Sequence, residues 1–130
     1  MTDRLVDLGS AELEVLRTLW DRGPSTVREV LAHLSDRGRT LAYTTVLTFL
    51  SRLENKGFVS SNKSGLAYVY RAKVSRDRVS RSRIKSLLSE LYDGAAGPLV
   101  LQLMQSEQLT PGEIRELQKL LERLDTADGK

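Results

Sequence analysis

Residues 40–57 read TLAYTTVLTFLSRLENKG. At helical spacing Val46, Phe49, Leu50 and Leu53 fall at i, i+3, i+4 and i+7, the apolar stripe of an amphipathic helix. The opposite side carries Thr44, Thr45, Thr48 and Arg52, with Tyr43 at its start. A face that meets only water usually carries Glu, Lys and Gln, because a branched threonine loses rotamer freedom in a helix. Short hydroxyl and methyl groups beside a guanidinium suit a groove instead. A threonine hydroxyl can bond a base edge or a phosphate, and its methyl can pack on a thymine. The competing reading is an ordinary amphipathic helix whose threonines are incidental. Gly57 stands where a C′ glycine ends a helix.

Upstream, Ser10 reads as the N-cap of AELEVLRTLWD, with Glu12 in the first turn at the positive helix end. Leu13, Leu16, Leu19 and Trp20 form its core stripe, and Gly23-Pro24 breaks it. Thr26 and Glu29 form a T-x-x-E capping box opening a second helix, with Val27, Val30, Leu31 and Leu34 facing inward. His33 lies off that stripe and reads as a plain surface residue. Downstream, residues 58–61 and 68–71 are β-prone and alternating, and Asn62, Lys63, Ser64 and Gly65 supply turn chemistry between them. That predicts a hairpin with a basic, polar tip. Three helices followed by a hairpin, the third helix bearing the groove-compatible face, is the winged helix-turn-helix order.

Beyond the hairpin, Ser75 or Asp77 starts a long helix through Ile84, Leu87, Leu88 and Leu91, stopped at Asp93-Gly94. Pro98 sits near the start of PLVLQLMQ, apolar nearly all round and carrying Leu99 and Leu103. Thr110 and Glu113 form another capping box, with Pro111 at N1, before a helix bearing Ile114, Leu117, Leu120, Leu121 and Leu124. So small an appendage cannot cover this apolar surface by itself, and a second copy of the chain is the expected cover. The alternative is a compact bundle packed on the first domain. The expected fold is therefore mainly α with a small β-hairpin wing: a winged helix-turn-helix domain over residues 1–73 and a helical dimerisation region over 74–130.

Composition narrows the function classes. The chain has 130 residues, 40% hydrophobic and 28% charged, which is globular rather than disordered. It has no cysteine and one histidine, so disulfides, thiolate metal sites and two-histidine sites are excluded, and no cofactor is expected. No run approaches the roughly 18 apolar residues of a membrane span, and the start, MTDRLVDLGS, lacks the apolar segment of a signal peptide. A soluble, cytoplasmic protein is expected. No phosphate loop or nucleophile elbow is present, so an enzyme is not expected. The net charge is +3. Through residue 73 eleven Lys and Arg stand against eight Asp and Glu, and beyond it nine balance nine. Arg71, Lys73, Arg76, Arg78, Arg81, Arg83 and Lys85 face the single acid Asp77, a basic cluster that suggests polyanion contact.

The chain resembles the penicillinase-repressor family (BlaI/MecI/CopY type) from about residue 8 to 124. The resemblance rests on LEVLRTLW, STVREVLAHL, YTTVLTFLSRLENKGFV and LVLQLMQSEQLTPGEIRELQKLLERL, taken in their order and spacing. It implies a dimeric repressor on an inverted-repeat operator, commonly with TACA and TGTA half-sites. Tyr43, Thr44, Thr45 and Thr48 match recognition-helix contact positions, and Arg52 a backbone-contacting or supporting one. Some members carry Lys and Arg where Thr44 and Leu47 stand here. The copper-responsive branch has a C-terminal cysteine cluster that this chain lacks. The β-lactam-responsive branch is cut by a regulatory protease at an Asn-Phe bond, and this chain has Gln102-Leu103 there.

The expected function is a homodimeric repressor holding double-stranded DNA through Tyr43, Thr44, Thr45, Thr48, Arg52 and the wing residues Lys63 and Ser64. A signal, with Gln102-Leu103 as the candidate cleavage bond, releases it. The runner-up is a winged-helix protein-interaction module, which would call for an acidic or apolar recognition face. A salt-sensitive shift of duplex DNA separates the two.

Overall fold

The computed structural model describes residues 8–128, so the reading of the N-terminal stretch falls largely outside the described residues. The described residues form six helices and three strands. The first part runs α1 (Ser10–Arg22), β1 (Ser25–Thr26), α2 (Val27–Asp36), α3 (Tyr43–Asn55), β2 (Val59–Asn62) and β3 (Val69–Ala72). The second part runs α4 (Arg76–Tyr92), α5 (Ala96–Ser106) and α6 (Pro111–Asp128).

Local chemistry sets these boundaries. The Thr26–Glu29 capping box is closed at the start of α2: Glu29 N–H donates to Thr26 Oγ1 at 3.2 Å and Thr26 N–H to Glu29 Oε1 at 2.9 Å. The same device opens α6 through Thr110 and Glu113. Ser75 caps α4 by accepting from Arg78 N–H at 3.0 Å. Helix α1 departs from expectation by one residue. Its N-cap is Gly9, whose N–H donates to Glu12 Oε1 at 3.1 Å, so Ser10 is already helical. Helix α3 ends in a Schellman motif at Gly57, φ 83°, with Gly57 N–H on Glu54 O and Phe58 N–H on Leu53 O.

The three strands form one antiparallel sheet in the order β1-β3-β2. Ser25 pairs with Tyr70, and Val59 with Ala72. Both hairpin strands sit one residue later than the sequence pattern placed them. The two-residue β1 was not foreseen, because a pair that short carries no alternation. Helices α1, α2 and α3 pack on one another, and the sheet closes the core by setting β3 on α1, β1 on α2 and β2 on α3. With its hairpin beyond α3, this is a winged-helix arrangement. Leu16, Val30, Val46, Leu50, Leu53 and Val59 are buried at its centre, with Val15 beside them.

Contacts divide the chain after Ser86, later than the 73/74 boundary read from the sequence. Residues from Val74 onward are tied to the first unit. Val74 and Val79 are buried, Trp20 Nε1 donates to Val74 O at 2.8 Å, and Arg83 donates to Leu8 O at 2.8 Å. His33 is half-buried rather than plainly exposed. It sits in a cleft beside Thr18 and Leu34, and its shielded Nε2 has no partner among the described residues. The second unit is different in kind: from residue 87 to 127 no residue is buried.

Candidate nucleic-acid interface

Helix α3 buries Val46, Leu50 and Leu53 and turns Tyr43, Thr44, Thr48 and Arg52 outward. Thr44, Thr48 and Arg52 lie four residues apart and form one exposed ridge. Thr45 is half-buried beside that ridge, and Phe49 packs against the core instead of lying within it. Thr48 Oγ1 donates to Thr44 O at 2.9 Å. Its proton is thereby occupied, leaving a methyl and a lone pair to face outward.

The far end of α3 is anchored from α1. Lys56 Nζ donates to Glu12 Oε1 at 2.9 Å, and Glu12 is only 6% exposed. Burial raises the Glu12 carboxyl. The Lys56 ammonium, the Gly9 N–H and the nearby Arg52 charge outweigh it and hold the group below its ordinary value. On the strand side, Ser61 Oγ donates to Glu54 at the end of α3. The end of α3 is therefore clamped to α1 and β2. Its own N-cap, Ala42, makes no side-chain bond.

In the wing, Ser64 N–H and Oγ both donate to Asn62 Oδ1, at 3.0 and 2.7 Å. Lys63 lies 5.6 Å from the centre of the Tyr68 ring. The predicted positions Tyr43, Thr44, Thr48, Arg52, Lys63 and Ser64 are thus all exposed. The sequence reading missed Arg28, whose guanidinium lies 5.2 Å from the centre of the Tyr43 ring. It also missed Tyr68 and Leu66 on the wing. A cation in the first turn of a helix, against the helix dipole, was the available signal for Arg28.

The mid-chain basic cluster is partly spent inside the fold. Arg76 pairs with Asp21 and lies 5.5 Å from the centre of the Trp20 ring. Its hydrogen bond holds the Asp21 carboxyl below its ordinary value. Arg81 pairs with Asp77 at 3.0 Å, and Arg83 is on the Leu8 carbonyl. Residues Arg71, Lys73, Arg78 and Lys85 stay exposed.

In the second unit Leu87, Leu91, Leu103, Ile114, Leu120, Leu121 and Leu124 are exposed, while Leu88, Leu99 and Leu117 are half-buried. Val100, Leu101 and Met104 add to the exposed apolar surface. Tyr92 donates its hydroxyl proton to Gln102 Oε1 at 2.8 Å, so one of the two residues at the candidate cleavage bond is held to α4. Among the described residues, no helix is long and apolar enough to cross a membrane, and no group of three His, Cys, Asp or Glu could hold a metal.

The penicillinase repressor family model matches residues 8–123, nearly the whole chain. The chain belongs to the penicillinase-repressor family. It is 30% identical over 119 residues to a penicillinase repressor of Bacillus licheniformis, covering 92% of each chain. It is 25% identical over 123 residues to the methicillin resistance regulatory protein MecI of Mammaliicoccus sciuri, covering 95% of this chain and 99% of that one. A solved transcriptional regulator of Thermotoga maritima superposes with a TM-score of 0.48 at 19% identity, over 92% of this chain and 80% of that one.

Proposed function

We propose that the protein is a homodimeric transcriptional repressor whose α3 enters the major groove of an inverted-repeat operator. The observation that carries this is the ridge of Thr44, Thr48 and Arg52, exposed on a helix that is clamped at its far end by Lys56–Glu12 and Glu54–Ser61. A groove-reading helix must be held rigidly, and the short threonine side chains on this ridge order few rotatable bonds when they meet a base edge. The names of the relatives, penicillinase repressor and methicillin resistance regulatory protein, support the same reading. The runner-up, a protein-interaction module, finds no acidic or apolar patch on this ridge.

Two copies held by the second unit place two α3 helices on half-sites about one helical turn apart. The exposed leucines of α4, α5 and α6 support that assembly. A protease that cut between Gln102 and Leu103 would free DNA without touching the reading face. The bond lies inside α5, whose apolar side chains are covered in the proposed dimer, so both unwinding of α5 and loosening of that interface precede cleavage. Mass spectrometry of the protein from cells before and after induction tests that route, and an intact chain in induced cells rules it out.

The DNA-binding claim is tested by competition between selected operator and random duplex. Thr44→Ala costs on the order of 1–3 kcal/mol on operator and little on random DNA. Equal losses on both would contradict a base-reading role.

A further inference from the structure

Helix α4 is fastened to the first unit at successive levels. In its first turn Arg76 pairs with Asp21, in the last turn of α1, and lies 5.5 Å from the centre of the Trp20 ring. Trp20 also donates its indole proton to Val74 O at 2.8 Å, just ahead of the helix. One turn on, Val79 is buried in the core. One turn further, Arg83 donates to the Leu8 carbonyl at 2.8 Å. Residues 76, 79 and 83 fall at i, i+3 and i+7, so they share one face and span about 10 Å of the helix. Arg76 is moreover a cation in a first turn, where the helix dipole disfavours one. Its place is explained by what it holds, not by helix formation.

A helix held at one point can pivot; one held at three points over two turns cannot. Helix α4 runs without a break past the boundary after Ser86, as far as Tyr92. These contacts therefore fix the direction in which it leaves the first unit. A dimer on an inverted repeat depends on that direction. One added base pair moves a half-site by about 3.4 Å along the duplex and turns it by about 35° around the axis. We propose that Trp20, Asp21 and Arg76 are positioning residues that set which half-site spacing the dimer accepts. They act through α4: held rigid on α1, it keeps the two α3 helices at one separation, and an operator of another spacing engages only one of them. The inference rests on the reading of the protein as a dimer on an inverted repeat.

The test uses the full-length protein and a duplex that it selects from random-sequence DNA. The same duplex is then lengthened or shortened by one base pair between its half-sites. Wild type loses about thirtyfold on either altered duplex, because the second contact is forfeited. Arg76→Gln and Asp21→Asn each lose only about threefold on them, and the double variant discriminates no less than either single one. All three bind a single half-site as wild type does, with an unchanged salt slope, which neither a folding defect nor a direct contact of Arg76 with phosphate would allow. Reversing the pair, Asp21→Arg with Arg76→Asp, suits both helix dipoles and returns the discrimination toward thirtyfold, about the wild-type value. Single variants that discriminate spacing as wild type does overturn the proposal, as does a wild-type protein indifferent to spacing. A loss at the single half-site overturns it too, since Arg76 would then act on the DNA itself. When wild type still selects an inverted repeat, any of these results sinks this inference alone. A wild-type protein that selects no duplex, or only an isolated half-site, brings down both it and the dimeric-repressor reading.

Discussion

Glu12 shows how one side chain can hold the end of a helix from behind. Its carboxylate is buried, takes the Lys56 ammonium and the Gly9 N–H, and so joins the start of α1 to the end of α3. Glu12→Gln strips the charge from a buried acceptor and leaves the ammonium without its partner. A loss of about 1–3 kcal/mol at pH 7 is expected. The folded-state pKa lies below the ordinary 4.5, so this stabilisation is present above the unfolded value and disappears as pH falls through the folded one. Urea midpoints of the two proteins should therefore differ at pH 7 and converge as the pH falls through the lowered folded-state value. A constant gap across that range would remove the ion pair from the account. Thr48 makes a second case. With its proton on the Thr44 carbonyl, it has a methyl and a lone pair left to face outward. Thr48→Val keeps the shape and one methyl, and should hold most of the operator affinity that Thr48→Ala loses. The same ranking on random DNA would show that the helix, not base contact, had been weakened.

Among the elements, α3 depends on its exit as much as on its stripe. Gly57 adopts φ 83°, and a Cβ placed there would meet nothing within 4 Å, so the demand is purely conformational. Gly57→Ala should cost about 1–2 kcal/mol by chemical denaturation, and Gly57→Asn less, because asparagine tolerates the left-handed region. Equal costs would point to a contact rather than to the backbone. Elements of this kind were legible in the sequence because their determinants are local. The capping boxes at Thr26 and Thr110 and the glycine stops at residues 57 and 94 can each be read within a few residues. What could not be read was long-range. Strand β1 exists only because Ser25 and Thr26 find β3 more than forty residues away. Arg76 and Arg83 appeared as free charge until Asp21 and the Leu8 carbonyl were seen beside them. The ridge on α3 was visible because one helix carries it. Arg28 and Tyr68 were not, since only the fold brings three separated segments around one cleft.

Among the described residues, all the buried hydrophobic ones gather in one place. The core runs from Leu8 to Val79, and the second unit has apolar side chains but no interior. Leu91 is 66% exposed, Leu121 56% and Leu124 54%, and among the described residues no helix is long and apolar enough to cross a membrane. Covering several hundred Å² of such surface at about 25 cal/mol per Å² is worth many kcal/mol before the costs of association. A second copy offers the same face by symmetry, which a two-fold axis can match to itself. Replacing Leu117 and Leu121 together by Asp puts charges into that interface and should give monomers in sedimentation at micromolar concentration. Because among the described residues no core residue lies beyond Val79, the only tryptophan, Trp20, should keep its folded fluorescence in the variant. Operator binding should nevertheless fall by about 10²–10⁴, since each half-site would be held without the effective concentration the partner supplies. The α3 ridge is untouched, so binding to a single half-site should be the same for both proteins. A wild-type protein that sediments as a monomer, or a double variant that keeps full operator affinity, would detach DNA binding from the second unit altogether.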